Sequence, residues 1–337
     1  RRGRHDPAHE FALAAAQPAP RAHEQRAHGN GRERTLTLDA ARRDKTRDLL
    51  VVAAGYGVAL AAAGVSLALV EAEPLIDVLV ADVVATTVIF ACSLFWKNSS
   101  WYDAYWSVAP PAIAGWFLYL GIASGADASA LRQGLVTIVV WLWALRLTAN
   151  WAWGWTGMDH EDWRYVNLQQ QAGVFWWPLS FAGIHLFPTL CVFAGCIALY
   201  PALALPARAP NALDAVAFLT GVGATWLQFR SDADLHRFRA ERASRAEVLT
   251  TGIWAWCRHP NYLGEILFWV SLFLFGVAAT DGVYPWSWLG PVVMVALFLI
   301  VSIPMIEKKL AADKPGYAAY RARTPMILPW PPRAARG

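Results

Sequence analysis

The stretch "CRHPNYLGEILFWVSLFLFGVAA", residues 257–279, decides the fold class. From Pro260 it runs twenty residues with one charged side chain, Glu265. At about 1.5 Å per helical residue, such a run covers roughly 30 Å, the thickness of a bilayer's hydrocarbon core. Pro260 disfavours helix at His259 but suits a first helical turn, so the helix starts there. Arg258 and His259 then stand at the positive end of the helix dipole, and Glu265 sits about one turn inside the apolar run. Each placement is unfavourable unless a partner of opposite charge meets it.

Reading outward, apolar runs fall at about 49–70, 76–96, 106–122, 131–150, 175–200, 211–229, 262–280 and 286–306. The chain is 56% hydrophobic and 16% charged, whereas soluble domains carry about 25% charged residues. The expected fold is all-α: a polytopic membrane bundle of seven or eight helices around a cytosol-facing cavity. Residues 1–48 hold eleven Arg and Lys. The 230–260 loop and the tail after 306 are also basic, whereas the alternate loops hold only Arg208, with Arg132 at a span edge. This asymmetry places both termini in the cytosol. The net charge of +4 therefore reports topology, and nucleic acid is not expected as a partner. Residues 1–48 read as a disordered basic extension, 49–332 as the membrane domain and 333–337 as a tail.

Cys92, Cys191, Cys196 and Cys257 form no C-x-x-C pair and read as apolar packing residues. No H-E-x-x-H or Cys-rich spacing is present, so no metal site is expected. There is no G-x-S-x-G, and "GVGAT" at 221–225 lies inside a span, so no Rossmann fingerprint exists.

Polar residues inside spans carry a cost and attract interest. Arg146, in "WLWALRLTAN", either snorkels to the interface or binds an anion in an inward cavity. His185 reads as an interhelical hydrogen-bonding group, and Asp82 as a packed polar group rather than a catalyst. In "QFRSDADLHRFR", 228–239, Gln228, Asp232, His236 and Arg239 fall within about 80° on a helix, giving one polar stripe. "DHEDWRY", 159–165, is either an interfacial aromatic belt with a solvated acidic turn or part of a binding surface. Asn261 and Glu265 share a face. A phosphate at the helix start would relieve the conflict created by Arg258 and His259.

"RHPNYLGE" (258–265) followed by an apolar helix, and "GYAAYRARTPMILPW" (316–330), resemble the steroid 5α-reductase superfamily, in particular a bacterial branch of uncharacterised membrane oxidoreductases. "NSSWYDAYWSV" (98–108), "LRLTANWAWGW" (145–155) and "HEDWRY" (160–165) are further signatures, so the resemblance spans about 50–332. It implies NADPH in a cytosol-facing cavity of an integral protein of the bacterial inner membrane, with lipids and a lipophilic small molecule as partners. Gln228 stands where the family has Asn; Asp232 and Arg239 keep the family's seven-residue separation. Asn261 and Glu265 fit its N-x-x-G-E spacing, and Tyr317 and Tyr320 its terminal Tyr-to-Pro segment. Arg146, Arg164, His236, Arg258, His259 and Tyr262 complete the cofactor candidates.

The implied activity is reduction of a carbon–carbon double bond conjugated to a carbonyl. Asp103 with Tyr102 or Tyr105 is the candidate acid. The chain departs from the family in two places. Span two carries Asp77 and Asp82 but no Glu, and "IEKKLAAD", with Glu307, Lys308 and Lys309, replaces the eukaryotic enzymes' basic cluster. Isoprenylcysteine and phospholipid methyltransferases share R-H-P-x-Y and an acidic-then-Tyr tail, which leaves an S-adenosylmethionine-dependent methyltransferase as the alternative.

Overall fold

The computed structural model describes residues 31–126 and 128–331, with side chains from residue 44 onward. Among the described residues there is helix and no strand. Eight helices are long and apolar enough to cross a membrane, one for each expected run. We number them α1 (Gly31–Leu69, apolar from Asp44), α2 (Pro74–Trp96), α3 (Tyr105–Ala123) and α4 (Ala130–Gly154). α5 (Trp163–Cys196), α6 (Ala212–Glu241), α7 (Pro260–Ala279) and α8 (Leu289–Asp313) complete the set. A short α9 (Tyr317–Arg323) follows. The protein is an integral membrane protein built as a helical bundle.

The chain divides into two units at Asp48–Leu49. Residues 31–48, expected as disordered extension, are helical. Residues 1–30 and the 333–337 tail lie outside the described residues. α5 starts well before its expected boundary: Asp162 caps its first turn by accepting from the Arg164 N–H at 2.8 Å. It then passes through a 3₁₀ turn, Gly173–Phe175, and a π segment, Ser180–Leu186. A second π segment, Leu297–Ser302, interrupts α8. Neither is visible in hydropathy, and such bulges gather at functional sites.

Close packing of α6 on α7 depends on Gly264. A Cβ there would lie 2.4 Å from Gln228 Cγ and 2.9 Å from the Ala224 carbonyl oxygen. The Ser271 hydroxyl donates to the Ala217 carbonyl at 2.7 Å, adding a hydrogen bond of the kind that joins helices in lipid. Trp143 of α4 stacks on Phe268 of α7, ring centroids 4.1 Å apart, at the centre of the larger core. A second core joins α1, α2 and α3 through Tyr56, Ile89, Trp101 and Tyr105.

The two ends of the bundle are held by different chemistry. At one end, buried Arg132 of α4 donates from Nε and Nη2 to the two Asp214 oxygens of α6 at 2.6 and 2.9 Å. It also reaches the carbonyls of Arg208 and Ala278. At the other, the loop end, α4 and α6 finish, α7 begins, and the tail folds back. There the Arg258 and His259 N–H groups donate to the Pro325 and Met326 carbonyls, and the Trp330 N–H donates to that of Trp256. The Tyr320 hydroxyl donates to the Trp254 carbonyl at 2.6 Å. This strap ties α9 and residues 325–330 to the start of α7.

Candidate functional site

The polar stripe of α6 meets Arg146 and Glu265 near the loop end. Arg146 Nη1 donates to Asp232 Oδ2 at 2.8 Å, and its Nη2 donates to Glu265 Oε1 at 3.3 Å. The second Glu265 oxygen accepts from the Trp143 indole N–H at 2.9 Å. Two carboxylates of the chain therefore share Arg146. Beside this bridge, Gln228 is fully buried and both atoms of its amide lack a hydrogen-bond partner. Arg146 Nε and Asn261 Oδ1 are likewise buried and unpartnered. Orphaned buried polar groups cost about 1–3 kcal/mol each, which makes the surroundings of Gln228 a candidate site for a polar ligand. His236 Nε2 pairs with Asn150 Oδ1 at 3.0 Å, further along the stripe. Arg239 lies within electrostatic reach of Asp232.

The remaining cofactor candidates gather elsewhere. Glu307 of α8 accepts from Arg258 Nε at 2.7 Å and lies 3.0 Å from His259 Nε2, with Arg321 Nε at 3.5 Å. Arg258 Nη1 also donates to the Thr324 and Arg321 carbonyls. The charges at the start of α7 are thus met within the chain, by a carboxylate and tail carbonyls. Burial depresses the His259 imidazole below its ordinary range, with Glu307 acting in the opposite sense. Tyr262 stacks on His259 and on Phe298 of the α8 π segment, at 5.5 and 4.9 Å. Tyr317 and Tyr320 are buried edge to face. Arg164 is held by Asp162, Nε to Oδ1 at 2.8 Å and Nη2 to Oδ2 at 3.0 Å.

Of the expected acid cluster, the Tyr102 and Tyr105 rings adjoin, 5.6 Å apart, while Asp103 turns to another partner. Tyr102 pairs with the Thr189 hydroxyl at 2.7 Å, and Asp103 accepts from the Tyr165 hydroxyl at 2.7 Å. Tyr105 turns to a residue that sequence reasoning set aside, donating to Asp82 Oδ1 of α2 at 3.1 Å. Asp82 is 5% exposed, and its Oδ2 is buried without a partner. A half-open cavity of about 330 Å³ between α1, α2 and α3 counts this pair among its lining residues. Its walls are otherwise apolar, including Leu60, Ala85, Ile113 and Trp116, with no cation among its lining residues. Trp106 of α3 meets Trp143 of α4 edge to face at 6.1 Å. The signal that could have found Asp82 was an unpaired acid at mid-span. His185, as expected, is an interhelical bonding group, 2.9 Å from the Ser93 hydroxyl of α2.

Residues 89–324 match a family described as "Protein of unknown function (DUF1295)". The chain belongs to that family. The matched region of this DUF1295 protein runs from α2 to the last turn before the strap, so it contains the Arg146 bridge and the Glu307 cluster but not Asp82. The uncharacterised protein C594.04c of Schizosaccharomyces pombe is 28% identical over 281 residues, covering 76% of this chain and 80% of the relative. No solved structure matches the chain.

Proposed function

We propose that the protein is an NADPH-dependent membrane reductase acting on a carbon–carbon double bond conjugated to a carbonyl in a lipophilic substrate. The observation that carries this reading is the Asp82–Tyr105 pair lining a largely apolar cavity, with one carboxyl oxygen left unpartnered. A phenol and a carboxyl in contact share an exchangeable proton, and the apolar walls strengthen any hydrogen bond that they offer. A carbonyl oxygen entering the cavity takes its hydrogen bond from this pair, which stabilises the negative charge developing on that oxygen. This replaces Asp103 with Asp82 as the partner of Tyr105.

NADPH, when bound, supplies the hydride. The residues that fit it are Gln228 and Asn261, whose unmet amide atoms match a polar planar group, with Asp232, Glu265 and Arg146 beside them. The family resemblance carried by "RHPNYLGE" supports this assignment. The methyltransferase reading keeps one observation: two carboxylates around a single arginine also suit a sulfonium such as that of S-adenosylmethionine.

Titrating the purified protein with NADPH and, separately, with S-adenosylmethionine while following thermal stability decides between them. Saturable stabilisation by NADPH, lost in Gln228→Leu, is expected. A response to S-adenosylmethionine alone overturns the reductase reading.

A further inference from the structure

The hydrogen bonding around Asp82 and Tyr105 extends beyond the pair. Thr86 lies one turn along α2 from Asp82, on the same face, and its hydroxyl stands 2.8 Å from that of Thr189 in α5. The Thr189 hydroxyl is also 2.7 Å from the Tyr102 hydroxyl and 2.8 Å from the His185 carbonyl oxygen. Thr86 in turn reaches the Tyr105 hydroxyl. None of these four side chains, Thr86, Thr189, Tyr102 and Tyr105, belongs to a residue more than 3% exposed. The π segment of α5 supplies His185, and Thr189 follows one turn later, so this interruption of the helix lies beside the cavity wall.

A hydroxyl carries one hydrogen and can accept two others, whereas a carbonyl only accepts. Thr189 therefore gives its hydrogen to His185 and accepts from both Thr86 and Tyr102. Thr86, its hydrogen committed, offers Tyr105 only lone pairs. Tyr105 is left as a donor, and its hydrogen goes to Asp82 Oδ1 at 3.1 Å. The members of the pair are thereby unequal. When Asp82 loses a proton from Oδ2, its unpartnered oxygen, the Tyr105 hydrogen already points at the resulting carboxylate. When Tyr105 loses one, Thr86 must withdraw its hydrogen from Thr189 to serve the phenolate, and a hydrogen bond is lost in a dry interior. We infer that Thr86, Thr189 and Tyr102 are positioning residues whose hydroxyls fix the Tyr105 hydrogen on Asp82. Resting on the proposed reduction, Asp82 is then the member of the pair that gives up a proton. Its O–H bond breaks, the electron pair stays on the carboxylate, and the new O–H bond forms on the substrate's carbonyl oxygen. Tyr105 keeps its own proton and steadies the carboxylate left behind.

Two measurements on the full chain in nanodiscs test this, with retained thermal unfolding showing that each variant folds. The first needs no turnover. The infrared carboxylic C=O stretch that Asp82→Asn removes reports the Asp82 proton; Tyr105→Phe, Thr86→Val and Thr189→Val should each shift it, and Thr86→Ser should leave it in place. The second follows NADPH oxidation with farnesal and a long-chain alkenone as probes. Asp82→Asn should lower kcat at least about a hundredfold, and Tyr105→Phe about tenfold. Thr86→Val should lower kcat about threefold with KM unchanged, be rescued by Thr86→Ser, and add nothing to Tyr105→Phe. The inference is overturned, and the reductase reading left standing, by any of three results: no Asp82 band or a band unmoved by Thr86→Val and Thr189→Val, full additivity of Thr86→Val with Tyr105→Phe, or a larger rate loss from Tyr105→Phe than from Asp82→Asn. If wild type neither binds nor oxidises NADPH, the reductase reading fails and the acid role falls with it. The infrared band then decides the rest: shifts in the threonine variants keep the positioning chain, and an unmoved band overturns it too.

Discussion

Replacing Arg146 with Met tests whether the two carboxylates depend on one cation. In the wild type, Arg146 holds Asp232 at 2.8 Å and Glu265 at 3.3 Å, with side-chain exposures of 17% and 7% for the two acids. Met fills most of the volume but leaves both acids without their cation. Removing one partner of a buried pair costs about 3–5 kcal/mol, because the other charge stays desolvated. Glu265→Gln behaves differently. Its amide oxygen can still accept the Trp143 N–H, and Arg146 keeps Asp232, so the loss is about 1 kcal/mol. The triple variant R146M/D232N/E265Q removes the stranded charges and should regain most of the stability lost by R146M alone. Equilibrium unfolding in mixed micelles, read by tryptophan fluorescence, would rank the three. An R146M loss no larger than that of E265Q, or no recovery in the triple variant, would refute the bridging role.

Gln228→Leu should raise the stability of the unliganded protein by about 1–3 kcal/mol, since it deletes two orphaned polar atoms from a buried site, while the NADPH-induced thermal shift disappears. Arg132→Met, at the opposite end, should cost about 3–5 kcal/mol by stranding Asp214, with Arg132→Lys recovering only part because Lys cannot reproduce the two-pronged contact. Stability should also fall as pH drops below about 6.5, the ordinary histidine value. His259 is depressed in the folded state, so the unfolded chain binds the extra proton first, and its contribution is intact above that pH and lost as pH falls through the folded value. His259→Asn should flatten that limb of a denaturation-versus-pH profile. Gly264→Val should separate α6 from α7, its side chain colliding with Gln228 and the Ala224 carbonyl, and lower the unfolding temperature more than Gly57→Val, where nothing lies within 4 Å.

The eight spans could be read directly because each is a long apolar run, and a bilayer imposes that length on any helix crossing it. The α6 stripe could be read because its members lie within one helix, where a period of 3.6 fixes their shared face. Pairings between helices could not. Asp82 and Tyr105 belong to different helices, and no local pattern brings them together. For the same reason "CRHPN" displayed an unbalanced charge without disclosing that Glu307, 49 residues beyond Arg258, balances it. The π segments in α5 and α8, the second carrying Phe298 against Tyr262, leave the apolar composition unchanged and so give no signal in the sequence.

The two arginines of α4 have a consequence for how the protein is made. Arg132 finds its carboxylate 82 residues later in the chain, and Arg146 finds Asp232 86 residues later. At about 5–20 residues per second, synthesis leaves α4 without either partner for on the order of ten seconds. An isolated helix carrying two unneutralised guanidiniums is poorly suited to lipid. α4 should therefore wait at the insertion machinery, or beside an assisting protein, until α6 arrives. The charge pairs that hold the finished bundle thus also set the order in which its helices can leave for the bilayer.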